Sequence, residues 1–168
     1  MQLTDMYPLE KWVELEQEIH DRFSLDSNVF NVDGIRISEF KAWVNKLCPA
    51  IKATDKGQSF ICAVAHMNLA IMAKNSEEAV VEECDAGLVK IVIPIFLKET
   101  FLGAVGACGF LMQEGEVDTF LVNKMTEIDE ERVGALAEGI NPISNEKIQE
   151  LIHFIDGKLK EIIENAAD

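Results

Sequence analysis

The chain has 168 residues, 48% of them apolar, which suits one domain with a substantial core and leaves too few for two comfortable ones. Thirty acidic against fifteen basic residues leave a formal charge of -15, and so negative a surface repels phosphate backbones and anionic headgroups, excluding nucleic acid and membranes as partners. The amino terminus MQLTDMYPLEKW lacks the basic-then-apolar order of a secretory signal or transit peptide, and no apolar stretch nears the roughly twenty residues of a membrane span, so the expected address is the cytoplasm.

From Leu9 to Phe23 the apolar residues fall mostly three or four apart with acids between them, which predicts an amphipathic helix. NVFNVDG (28–34) alternates and stops at Asp33-Gly34, the pattern of a strand and a turn. Ser38 is placed to cap a short helix over Glu39 to Leu47 that Pro49 ends, with a loop from Cys48 to Thr54. From Asp55 to Asn75 there is no proline and few polar positions, which predicts a central helix buried on most of its circumference.

The period then changes. Val80 to Glu83, Val89 to Leu97 and Phe101 to Met112 are rich in β-branched and aromatic residues, and Lys98-Glu99-Thr100 links the last two, predicting three antiparallel strands. Pro94 favours an edge or a bulge, while Gly103, Gly106 and Gly109 strip side chains from the third strand and let another group come close. One or two surface helices follow up to Gly139, Asn141-Pro142 breaks the chain, and a long helix runs from Ser144 to Ala166. In it Ile148, Ile152, Ile155, Leu159 and Ile162 alternate spacings of four and three, which fits either packing on its own domain or a seam for a homodimer or signalling partner through 144–166.

The four cysteines, Cys48, Cys62, Cys84 and Cys108, fall one per element and none forms a C-x-x-C pair. Closed zinc sites usually present ligands in close pairs, so these spacings point to zinc only if the fold gathers Cys48, Cys62, Cys84 and Cys108; an iron-sulfur cluster needs no local pairs. The competing reading is that buried cysteine is a small hydrophobe, apt for Cys62 and Cys108 among apolar neighbours. Cys84 is flanked by Glu82, Glu83 and Asp85, charges that oppose a thiolate, and so is a poor free nucleophile. His66 follows Cys62 by four and shares a helix face with it, as a second ligand, a pocket contact or a hydrogen-bonded core residue. His20 and His153 have ordinary amphipathic surroundings, and the acidic runs are solvated faces. No phosphate-binding loop, metalloprotease or nucleophile-elbow motif occurs, so no catalytic residues are named.

Leu47-Cys48, then Cys62 on a helix, then CDAGLVKIVIPI from Cys84, then a hairpin to FLGAVGACGF, is a set that resembles the PocR-type sensory domain over roughly Leu9 to Met112. Cys84, Ala86, Gly87 and Leu88 match its Cys-His-Ala-Gly-Leu motif, and Asp85 stands where histidine is common. The resemblance implies an α+β domain, PAS-like or GAF-like, with an antiparallel sheet, flanking helices, a long C-terminal helix and a pocket between sheet and helix. It implies a sensor of small organic molecules, with small diols among those proposed.

The combined expectation is a single sensory domain over 1–168, core about 9–112 with a helical extension 113–168, binding a small organic molecule near Cys62, His66, Cys84, Asp85 and Cys108. The rival is a redox or gas sensor holding an iron-sulfur cluster or zinc; a ligand-free dimerisation module is a further one.

Overall fold

In the computed structural model, residues 1–166 are described. Helix α1 (Leu3–Met6) leads into α2 (Leu9–Phe23), whose Trp12, Leu15, Glu16, Ile19 and Phe23 form the buried stripe that the spacing predicts. The Trp12 indole donates to the Leu3 carbonyl at 3.1 Å and so pins α1 to α2. Ser24, in the left-handed conformation, ends α2 and turns the chain into β1 (Asp26–Asn31).

The helix expected over Glu39 to Leu47 is absent, and Ser38 caps nothing. Its hydroxyl donates to the buried carboxylate of Glu16, which also accepts the Val29 N–H at 2.7 Å. A carboxylate with no solvent exposure needs such partners, and that need holds Ser38, and the chain around it, against α2 and β1. Helix α3 (Leu47–Lys52) begins where a loop was expected. Pro49 lies in its first turn, where an N–H would have no helical acceptor, so the proline starts this helix rather than ending one. Cys48 therefore sits at the beginning of a helix.

The central helix exists in three phases: α4 (Asp55–Gly57), a π-helical segment (Gln58–Ala63) and α5 (Val64–Ser76). It is not buried all round. Gly57, Ile61, His66, Leu69 and Ala73 face inward, while Phe60, Val64, Met67 and Ile71, spaced four, three and four, are exposed along the outer side. The expectation of near-complete burial is corrected: the sheet covers one side only, and composition without period does not tell which side that is.

Strands β2 (Val80–Glu83), β3 (Leu88–Leu97) and β4 (Thr100–Met112) form the antiparallel set expected, in the order β1-β4-β3-β2. Lys98, at φ +57, makes the tight turn between β3 and β4. Pro94 lies where β3 has run past the end of β2 and next to a register shift at Ile95/Phe96, so its missing N–H breaks no ladder on that side. After helices α6 (Thr119–Thr126) and α7 (Glu130–Ala137), β5 (Pro142–Ile143) pairs parallel to the end of β4, and α8 (Asn145–Ala166) starts with Ser144 accepting the Lys147 N–H. The architecture is a mixed α+β fold.

The sheet has two unlike faces. Val89, Ile91, Ile93, Ile95, Val29 and Val105 face α1, α2 and α8 in one large apolar cluster, into which α8 puts Ile148, Leu151, Ile155, Leu159 and Ile162. The helical repeat in α8 is thus packed on its own domain, with Ile152 only partly buried. On the opposite face Leu69 and Ala73 of α5 meet Val92 and Ala104 in a much smaller cluster. A third group joins Leu47, Ile51, Ile61, Ala86, Val122 and Val133, tying α3 and the π-helical segment to α6 and α7. Among the described residues no helix is long and apolar enough to cross a membrane.

Candidate functional site

On the α5 side the sheet does not close. Between β1, β4, β3, α3 and the helix Asp55–Ser76 lies a cavity of about 290 Å³. Strand pairing builds its floor: Asp26 of β1 and Lys90 of β3 both pair with Cys108 of β4, so the three side chains form one row across the sheet. The next row along is Asn28, Gly106 and Val92. Two glycines of β4 let neighbouring groups pack close around the cavity. A Cβ on Gly106 would stand 3.4 Å from the Phe30 ring and 3.8 Å from His66 Nδ1, and one on Gly109 would stand 2.3 Å from the Val44 side chain. Asn45, next to Val44, donates to the Gly109 carbonyl at 2.8 Å and accepts the Cys48 N–H, fixing α3 to the sheet at the cavity rim.

The roof is the helix. The rings of His66 and Phe30 stack with centroids 3.4 Å apart. His66 is 2% exposed, and neither ring nitrogen has a hydrogen-bond partner. Burial, with the positive charges of Lys90 and Lys52, drives its pKa down to about 3, so the imidazole is neutral and keeps one donor and one acceptor unspent. A π-helical turn carries one residue more than an α-helical one and recurs at functional sites. Here it delivers Gln58, Cys62 and Ala63 to the cavity wall.

All four cysteines line this one cavity. They gather as the convergence reading requires, but not as a ligand set. Among the described residues no three His, Cys, Asp or Glu side chains are placed to hold one metal ion. Burial pushes the Cys62 thiol up to about 11 and raises Cys48 and Cys108, so in the free protein these three thiols are protonated. A bound cation would itself deprotonate a coordinating thiol, so what separates these cysteines from a zinc or iron-sulfur ligand set is their placement and not their protonation. Asp85 is exposed beside the Gly87 turn and lies outside the cavity lining, so it does not join Cys62, His66, Cys84 and Cys108.

Sequence reasoning passed over the polar half of the site. Asp26, Asn28, Arg36, Lys52 and Lys90 all line the cavity, and Asp26, Asn28 and Lys90 are buried. Burial raises the Asp26 carboxyl, opposed by a long bond from the Ala42 N–H and by Lys52 and Arg36. The available signals were local: a lysine inside LVKIVIPI, and an acid and an amide two apart in a strand otherwise buried.

A helix-flanked sheet with a cavity walled by its helix and floored by its strands is the build of a small sensory module. The family model described as "Sensory domain found in PocR" matches residues 5–167, nearly the entire chain, and the chain belongs to that family. The match extends past the glycine-rich strand to include α6, α7 and α8. No curated protein and no solved structure matches the chain.

Proposed function

We propose that this domain senses a small organic molecule held in the cavity between the sheet and α5, and relays its occupancy through α8. The observation that carries the reading is His66: a buried imidazole with both nitrogens unpartnered, in the wall of a cavity of about 290 Å³. A buried polar group without a partner costs about 1–3 kcal/mol, and a bound ligand with one donor and one acceptor recovers it. The mix of Phe30, Leu88 and the thiols with a few placed polar groups suits a small amphiphilic molecule rather than water alone.

Relay through α8 follows from the thickness of one sheet. Lys90 faces the cavity while its neighbours Val89 and Ile91 sit in the cluster that holds α8. A shift of β3 under the ligand is therefore felt directly by α8, whose carboxyl-terminal end is the natural place for an output partner or a second protomer to engage.

The test is a ligand-observed NMR screen of small polar organic molecules against the wild type and Ala63→Phe, a variant that fills the cavity. Binders are expected in the first and lost in the second. Hydrogen exchange over 145–166 should slow on binding. No binder lost on filling removes the cavity as the site, and binding with unchanged exchange in α8 removes the relay.

A further inference from the structure

We propose that the molecule the cavity takes is a small organic anion, a short hydroxycarboxylic acid whose carboxylate pairs with Lys90 and whose hydroxyl meets His66. This rests on the cavity being the sensory site.

Lys90 is 8% exposed and interrupts a strand that is otherwise apolar from Leu88 to Leu97. Among the described residues no acidic group forms a salt bridge with it. Glu82 stands opposite in register on β2, but it is exposed and makes no ion pair with Lys90. The Lys90 ammonium lies 5.9 Å from the centre of the Phe30 ring, a weak contact that leaves its donors free. An ammonium enclosed without a counter-charge is what an anion-binding wall looks like before the anion arrives.

The surroundings agree. Arg36 and Lys52 line the same space, so three cations meet one acid, Asp26, in a chain whose formal charge is -15. Positive charge gathered at one point of so acidic a molecule concentrates anions there. Asp26 forms no ion pair with Lys90; its Oδ1 accepts from the Asn28 amide and the Ala42 N–H, each at 3.4 Å. The neutral, unpartnered His66 beside this charge suits a hydroxyl, which both donates and accepts, better than a second carboxylate. Phe30 and Leu88 leave an apolar wall for a short carbon chain.

The experiment compares L-lactate and its longer 2-hydroxycarboxylate homologues with the matched 1,2-diols, in which the carboxylate is replaced by a neutral CH2OH. Dissociation constants are read by NMR titration on the full chain, for wild type, Lys90→Met and Lys90→Gln. The acids are expected to bind at least about tenfold more tightly than the diols, the scale of a charge-assisted hydrogen bond in an enclosed site. That preference should vanish in both variants while the diols bind them as before. The second variant keeps the comparison if the first fails to fold. Diols binding as tightly as acids, or a preference that survives both substitutions, overturns the anion inference and leaves the cavity as a sensory site. Failure of both series to bind the wild type overturns the inference, while the cavity itself is judged by the broader screen against Ala63→Phe.

Discussion

Strand β3 borders two different environments within one segment. Val89, Ile91, Ile93 and Ile95 point to the side of α2 and α8 and are fully or almost fully buried, while Lys90 and Val92 point to the side of α5, where a lysine, a histidine and four thiols surround an open space. One face is filled with aliphatic carbon and carries the cohesion of the fold. The other face gives up packing for groups that have something left to bond. Stability and chemistry are thus divided across a single sheet, and a substitution should show which side it is on by what it disturbs.

The largest effect belongs to the filled face. Trp12→Ala removes a fully buried indole and its bond to Leu3, and should destabilise the domain by about 3–5 kcal/mol in urea unfolding, while any molecule bound to the folded fraction keeps its affinity. A loss of affinity in the folded fraction would blur the division between the faces. Next comes Gly109→Ala on the cavity side. Its φ of +117 and a Cβ placed 2.3 Å from Val44 predict a loss of about 1–3 kcal/mol, together with weakened ligand binding as Val44 and Asn45 are pushed from β4. A variant as stable as wild type would mean that the 35–46 segment is not held by β4.

Acidification sharpens the comparison further. His66 has a folded pKa of about 3 against 6.5 in the unfolded chain, so its contribution is complete above 6.5 and is lost as pH falls from 6.5 toward 3. At about pH 5.5 the loss should be about 1.4 kcal/mol, and His66→Gln should lack it. Glu16 and Asp26, both raised by burial, act with the opposite sign, favouring the folded state as pH falls through their folded pKa values. The informative quantity is therefore the difference between wild type and His66→Gln in unfolding free energy at the two pH values; equal pH dependence would show that His66 titrates normally. The smallest effect is expected at Asp85, which is exposed and off the cavity. Asp85→Asn should change stability by less than about 0.5 kcal/mol and leave ligand affinity unchanged.

Much of the fold was legible because it is periodic. The stripe in α2, the change of period at Val80 and the long repeat in α8 each follow from burial on one side of a regular element. What escaped depends on partners distant in sequence. Ser38 looks like a cap until Glu16, from another helix, claims its hydroxyl. Pro49 reads as a helix breaker unless the helix is known to begin just before it. At the site, Cys62, His66, Cys84 and Cys108 could be singled out by residue type. Asp26 and Lys90 could not be joined, since only the register of β1, β4 and β3 puts them in one row. Asp85 was included through its place in a motif, but neighbouring residues on a turn point in different directions.

The π-helical segment has a consequence for how this chain tolerates change. The inward positions Gly57, Ile61, His66, Leu69 and Ala73 are separated by four, five, three and four residues, and the interval of five falls across the π turn. Each residue of an α-helix advances the chain by about 100° around its axis. Deleting one residue between Gln58 and Ala63 would shorten that interval to four, the α-helical spacing, so the segment could close into an unbroken α-helix with His66, Leu69 and Ala73 still turned inward. The π turn is therefore where the chain takes up one residue of length while the inward face of α5 keeps its register. A one-residue deletion within the regular α5 has no such outlet, and it turns every side chain that follows by about 100°, which acts like a simultaneous substitution of them all.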